Sequence, residues 1–293
     1  MAQPPNAAPS ITINKLKTDR ICMFHPRASH RSTRRHNLHV SMSPPPPLTA
    51  RADLPRQLKG AGWGVFDAAS LASWCGVDGL PWQRWASHWD QLPPDPHLRD
   101  GGRYRRRRHG CCIVEAARIT PVPHRAHWQP VEYNALHGGI ERWFEPLPAA
   151  LADDTAWHGL LAGLAKAADS LRPEPRWFVE SHLFRIDTEG AGGIGRPTPE
   201  GAHRDGVDLV AVVLLARHNV KGGETRVFEA NSPQGMRFTL SEPGSVLLLD
   251  DERVIHETTP IQPVDAARSA WRDTLVVTCR RGEFQGPDQN NPR

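Results

Sequence analysis

From Trp177 to Cys279 the chain is written in short apolar runs broken by Gly, Pro, Asn and Asp. The runs are Trp177–Ile186, Asp208–Ala216, Thr225–Phe228, Met236–Leu240, Ser245–Leu249, Val254–Ile255 and Thr274–Cys279. Strands this short, at roughly ten-residue spacing, predict an all-β barrel or jelly roll. Asn219–Gly223 and Pro243-Gly244 read as turns between them. Leu209–Ala216 is apolar without alternation, as expected of a strand covered on both faces. It is also the longest apolar run, far short of the ~18 residues of a membrane span.

The N-terminal half has a different period. Leu147, Leu151, Trp157, Leu160, Leu161, Leu164, Ala168 and Leu171 recur at steps of three and four. This predicts a helix over 147–171, stopped by Pro173. Residues 53–92 read as partly helical, and their aromatics (Trp63, Phe66, Trp74, Trp82, Trp85, Trp89) as core and scaffold. A dense basic run, Arg103 to Arg108 with Tyr104 inside it, precedes a strand expected to begin at Cys111. The plan is α+β: a helical N-terminal half packed against a C-terminal β double sheet spanning about 176–282.

The formal net charge of +4 suggests a nucleic-acid partner until the charges are located. Residues 1–52 carry eight cations and one acid, leaving 53–293 at −3. That arm has no Trp and ends in Ser43-Pro44-Pro45-Pro46-Pro47, so it reads as disordered. It is either a basic tail for anionic surfaces or sequence upstream of a natural start at Met42. No apolar stretch follows its basic residues, which argues against a secretory signal. Residues 53–293 form one domain on this reading. The five cysteines (Cys22, Cys75, Cys111, Cys112, Cys279) are odd in number and contain no CxxC. They fit neither a disulfide framework nor a thiolate zinc site, and point to a reducing cytoplasm.

His203-Arg204-Asp205 stands just before a predicted strand, and His256 follows 53 residues later at the end of another. Two imidazoles and one carboxylate with three open positions make the facial arrangement of non-haem Fe(II) oxygenases. The alternative is a polar turn for His203 and Asp205 and a core histidine for His256. A second His-x-Asp, His88-Trp89-Asp90, has no strand after it and reads as scaffold. Arg272 lies 16 residues after His256 and opens the last strand. A keto diacid on iron would send its far carboxylate into the barrel, where an arginine fork offsets the cost of burial. Arg268, Arg280 and Arg281 compete for that role.

Several motifs in order resemble the bacterial Fe(II)/2-oxoglutarate dioxygenases that include the isoleucine hydroxylases. Pro199 to Asp208 resembles their proximal motif, and Gly222-Gly223-Glu224-Thr225 their following turn. Gly244 to Ile261 resembles their distal histidine region, Arg272 to Thr278 their closing strand, and Gln129 to Leu147 their pre-barrel segment. The resemblance implies a double-stranded β-helix, with His203, Asp205 and His256 as iron ligands and Arg272 as the 2-oxoglutarate clamp. It also implies hydroxylation of a free L-amino acid with release of succinate and CO₂, using Fe(II), 2-oxoglutarate and O₂, with ascorbate supportive.

A free amino acid needs partners for its carboxylate and its ammonium. Arg105 and Arg107 from the basic run, Gln129, Tyr133, Asn134 and Arg185 are the candidates. Two other classes stay open: an oxygenase acting on a macromolecule, with the arm and arginine run as its docking surface, and a non-catalytic β-barrel binding module.

Overall fold

The structure is a computed structural model describing residues 44–188, 193–232 and 234–287. The arm assigned to residues 1–52, with Cys22 and Met42, lies outside them up to residue 43. Residues 44–52 belong to the fold. Thr49 N–H donates to Val65 O at 2.7 Å, and Thr239 N–H donates to Pro44 O at 3.2 Å.

The N-terminal part contains α1 (Leu54–Ala61), β1 (Trp63–Phe66), α2 (Ala68–Cys75), α3 (Trp82–Ala86), β2 (Arg105–Glu115), β3 (Arg118–Pro121), α4 (Ala149–Ala152) and α5 (Thr155–Leu171). The rest is β: β4 (Trp177–Asp187), β5 (Leu209–His218), β6 (Val220–Gly222), β7 (Thr225–Glu229), β8 (Gly235–Phe238), β9 (Val246–Asp250), β10 (Val254–Thr258), β11 (Ile261–Pro263) and β12 (Trp271–Arg280).

One sheet runs β1-β9-β5-β12-β4-β2-β3, entirely antiparallel. Facing it are a three-stranded sheet, β10-β7-β8, and the pair β11-β6. This is the double-stranded β-helix of a jelly roll in an α+β chain. The N-terminal half is therefore not only helical. It supplies β1, β2 and β3 to the main sheet, and β2 begins at Arg105 rather than Cys111. The basic run hid that strand, because four charges in a row show no hydrophobic alternation.

The large sheet has two unlike faces, because successive side chains of a strand point opposite ways. Val179 and Leu183 of β4, Ala211 and Val213 of β5, and Leu275 and Val277 of β12 join Trp157, Leu160 and Leu164 of α5 in the main core. The opposite face splits along its width. Toward β5 and β9 it packs Val210, Leu214 and Leu247 against Val227, Phe238 and Val254 of the smaller sheet. Toward β4 and β2 it turns polar and lines a cavity.

The helix expected over 147–171 is broken. Asp153 and Asp154 separate α4 from α5, and the Asp154 carboxylate caps α5 by accepting Ala156 N–H at 2.8 Å. The same carboxylate accepts from Trp85 Nε1 at 2.9 Å, tying the Trp-rich segment to α5. Trp85 meets Trp157 edge-on, with ring centroids 5.5 Å apart. Trp89 Nε1 lies 3.1 Å from both Phe184 O and Thr274 O, clipping the segment to β4 and β12. These tryptophans are scaffold, as their sequence setting predicts.

Candidate metal centre and its cavity

His203 sits in the loop before β5 and His256 in the middle of β10, not at its end. The two residues exchange backbone hydrogen bonds of 3.0 and 2.9 Å, which sets their rings side by side with centroids 4.7 Å apart. Asp205 faces both. Its Oδ1 is 3.8 Å from His203 Nε2 and its Oδ2 is 4.0 Å from His256 Nε2. One ligand atom from each residue falls within 4.8 Å of the others.

His203 Nδ1 lies 3.0 Å from Gly201 O. A carbonyl only accepts, so the proton sits on Nδ1 and Nε2 presents its lone pair to the centre. Burial favours neutral His203, but the Asp205 and Glu200 carboxylates outweigh it and raise its pKa. Burial, with the His203 ring beside it, holds the pKa of His256 well below the usual histidine value. A neutral imidazole is the form that ligates a metal. The donor set therefore fits a divalent ion such as Fe(II).

Asp205 is fixed from two sides. Gln129 Nε2 donates to its Oδ1 at 3.0 Å. The buried Asp251 carboxylate accepts the backbone N–H groups of Asp205, Gly206 and Val207 at 3.1, 2.7 and 3.1 Å. Gly206 has φ 76°, and a Cβ there would come within 2.5 Å of the Tyr133 ring. Only glycine suits this bend after the carboxylate.

The triad opens into a cavity with about 1050 Å³ of free space, its mouth included. Arg272 lines it and is 2% exposed, and its Nε and Nη2 have no hydrogen-bond partner among the described residues. Burial and the neighbouring Arg217 bring its pKa down to about 9. A buried fork with unspent donors fits a carboxylate ligand.

Strand alternation divides the basic run. Arg105 and Arg107 point into the cavity and are buried, whereas Arg106 and Arg108 face outward to Asp187 and Glu145. Arg105 is already paired with Asp95 at 2.6 Å. Gln129 and Asn134 line the cavity and hydrogen-bond each other at 3.1 Å.

Two candidates lie elsewhere. Arg185 is on the opposite face of β4 from the cavity-lining His182 and Phe184, where it makes a bidentate pair with Asp273 at 2.7 Å and meets Asp90 at 2.8 Å. Tyr133 does not line the cavity; it packs on Gly206 and under the Arg204 guanidinium. Sequence reasoning also missed Arg142, Glu180, His127 and His182, all of which line the cavity. Glu180 and His182 stand two apart inside the run Trp177–Ile186. Polar residues at that period were the available signal.

Residues 86–278, more than half of the chain, match the family model for the 2OG-Fe dioxygenases. The chain belongs to that family. It is a 2-oxoglutarate/Fe(II)-dependent dioxygenase. The crystal structure of a bsmA homolog from Methylobium petroleophilum PM1 is 50% identical, with a TM-score of 0.76 over 85% of this chain and 99% of that one. IDO from Bacillus thuringiensis shares the fold at 16% identity (TM-score 0.64, over 80% of this chain and all of that one). A curated relative, the bifunctional enzyme flvA of Aspergillus flavus, is 24% identical over 176 residues. The match covers 53% of this chain but only 21% of flvA. Among the described residues no helix is long and apolar enough to cross a membrane. The four described cysteines are free thiols.

Proposed function

We propose that this dioxygenase hydroxylates an sp³ carbon of a free L-amino acid or a close derivative, forming succinate and CO₂ from 2-oxoglutarate. The observation that supports it is the charge of the cavity. Beyond Arg272, two more buried guanidiniums, Arg107 and Arg142, line it with no carboxylate in ion-pair contact among the described residues. The co-substrate's far carboxylate accounts for one cation, so the others suit an anionic group on the substrate.

On this reading His203, Asp205 and His256 hold Fe(II) on one face, and Arg272 binds the far carboxylate of 2-oxoglutarate. Bound Fe(II) supplies the O₂ chemistry that couples decarboxylation of the keto acid to oxidation of a C–H bond. The protein contributes geometry. Asp251 and Gln129 orient the Asp205 carboxylate, and Gly201 O keeps the His203 lone pair pointing inward. Phe184 and Val276 give the cavity apolar wall, which limits water near the reacting carbon. The setting is a small-molecule substrate in a reducing cytoplasm.

The test is a screen of the proteinogenic and common non-protein L-amino acids with Fe(II), 2-oxoglutarate and ascorbate. Mass spectrometry reads the gain of one oxygen atom, and succinate is measured in parallel. His203→Ala should abolish both signals. Succinate formation stimulated by no amino acid would overturn the substrate class.

A further inference from the structure

His109 of β2, Glu180 and His182 of β4, and His127 from the segment after β3, where it bridges to Arg142, form a second buried cluster beside the cavity of His203, Asp205 and His256. Its ligand atoms are close enough for a metal ion. Its protons are arranged otherwise. Arg107 Nη2 is 2.9 Å from His182 Nδ1, and a guanidinium can only donate. The His182 proton is therefore on Nε2, which lies 3.7 Å from Glu180 Oε2. His109 Nε2 and His127 Nδ1 lie 2.9 and 2.8 Å from that same oxygen. All three rings turn an N–H toward one carboxylate oxygen. A cation at the centre would have to displace these protons with Arg107 alongside.

The arrangement instead fixes an ionised carboxylate. Burial opposes the charge on Glu180, but His127 and His109 outweigh it and hold its pKa far below the usual carboxylate range. Burial keeps His127 neutral, with a pKa near 3. Only Oε2 is engaged by the histidines. Oε1 has no hydrogen bond among the described residues, and Glu180 lines the cavity.

Arg107 and Arg142 lie on the same cavity. Arg107 is stacked between Phe144 and Phe184, its guanidinium carbon 4.0 and 4.6 Å from their ring centres. Its side-chain hydrogen bond is the one to His182. Arg142 donates to Gln129 Oε1 at 2.8 Å. The Nε of each is buried without a partner among the described residues.

We propose that Glu180 receives the substrate's α-ammonium and that Arg107, with Arg142, receives its α-carboxylate. The cluster is then a recognition site for a zwitterion, and His109 and His127 are positioning residues that aim Glu180. This rests on the amino-acid reading above and names the groups that enforce it. Arg107 is held rigid by two rings and keeps donors free, which suits a planar carboxylate. A buried carboxylate left without its cation is costly, so Glu180 also rejects ligands lacking an amine.

The experiment uses the full chain loaded with Mn(II) and 2-oxoglutarate, which binds without turnover. Calorimetry measures the affinity of the best L-amino acid from the screen, its desamino acid and its methyl ester. In the wild type the desamino acid should bind at least about tenfold more weakly than the amino acid. Glu180→Gln should weaken the amino acid by a similar factor and leave the desamino acid nearly unaffected. Arg107→Gln should show the converse, weakening the amino acid but not the methyl ester. Mn(II) affinity and thermal midpoint serve as folding controls. His127→Gln, which keeps a donor toward Glu180, should retain more affinity than Glu180→Gln. Equal losses for the amino and desamino ligands in Glu180→Gln overturn the clamp and leave the amino-acid reading standing. A second metal ion per chain that disappears in Glu180→Gln also overturns it. Binding by no amino acid, with a non-zwitterionic substrate found instead, removes both.

Discussion

Asp251 holds Asp205 through the backbone rather than through its side chain. The buried Asp251 carboxylate gathers the N–H groups of Asp205, Gly206 and Val207, and so sets where the Asp205 carboxylate can point. Asp251→Ala removes the two carboxylate oxygens that accept these three hydrogen bonds. Affinity for Mn(II) or Fe(II) should fall about 10–100-fold, the usual cost of losing an orienting partner. Mn(II) titration followed by electron paramagnetic resonance measures it. An unchanged dissociation constant would mean that the loop holds its shape alone.

Arg272 is buried with unspent donors in the cavity. Arg272→Lys keeps a charge but loses the planar fork. Arg272→Ala should raise KM for 2-oxoglutarate by about 30–100-fold, equivalent to about 2–3 kcal/mol, with Lys intermediate. Initial rates of succinate formation against 2-oxoglutarate concentration decide this. Equal KM in wild type and Ala would remove Arg272 from the co-substrate site.

Arg185 gives the opposite expectation. Its fork closes on Asp273, whose side chain is 3% exposed, on the side of β4 away from the cavity. Arg185→Ala should destabilise the fold by about 2–4 kcal/mol by leaving a buried carboxylate unpaired. KM for the proposed amino-acid substrate should stay within twofold. Urea unfolding and steady-state kinetics separate the two effects.

Asp154 links acid stability to the start of α5. Burial opposes its charge, but the Trp85 Nε1 and Ala156 N–H bonds and the Arg84 charge prevail, so its pKa is lowered on folding. A carboxyl with a depressed folded pKa stabilises fully above its unfolded value of about 3.9 and loses that contribution as pH falls through the folded value. Asp154→Ala should cost about 1 kcal/mol at neutral pH, and its deficit should shrink below about pH 4. Thermal midpoints across pH 2.5–7 test this (about half-unit steps suffice).

The apolar runs after Pro175 foreshadow the β-helix because each is a buried strand bounded by turn residues. The convergence of His203, Asp205 and His256 was legible for a related reason: a His-x-Asp before one strand and a distant His on another meet wherever the two strands face each other. The rest depended on partners the chain brings from afar. β2 could not be read as beginning at Arg105, because its inward residues are charged and become intelligible only opposite His182 and Phe184. Arg185 looked like a binding residue until β12 placed Asp273 beside it. Glu180 was hidden in a run read as apolar, since nothing local says that one face of β4 meets a cavity rather than a core. α4 and α5 merged in the periodic pattern because Leu151 and Trp157 both reach the core across the Asp153-Asp154 break.

The split of Arg105–Arg108 between two faces has a consequence for how that strand finds its phase. Four identical side chains cannot tell a ladder which pair belongs indoors; sliding by one peptide would exchange arginines for arginines. The choice is made just downstream. His109 reaches Glu180, whereas Gly110 leaves room for Leu147, whose Cγ would lie 2.6 Å from any Cβ placed there. A one-step slip in one direction would put Gly110 where an imidazole is needed, and in the other would set the imidazole against Leu147. The arginines take their roles from an alignment that this His-Gly pair dictates.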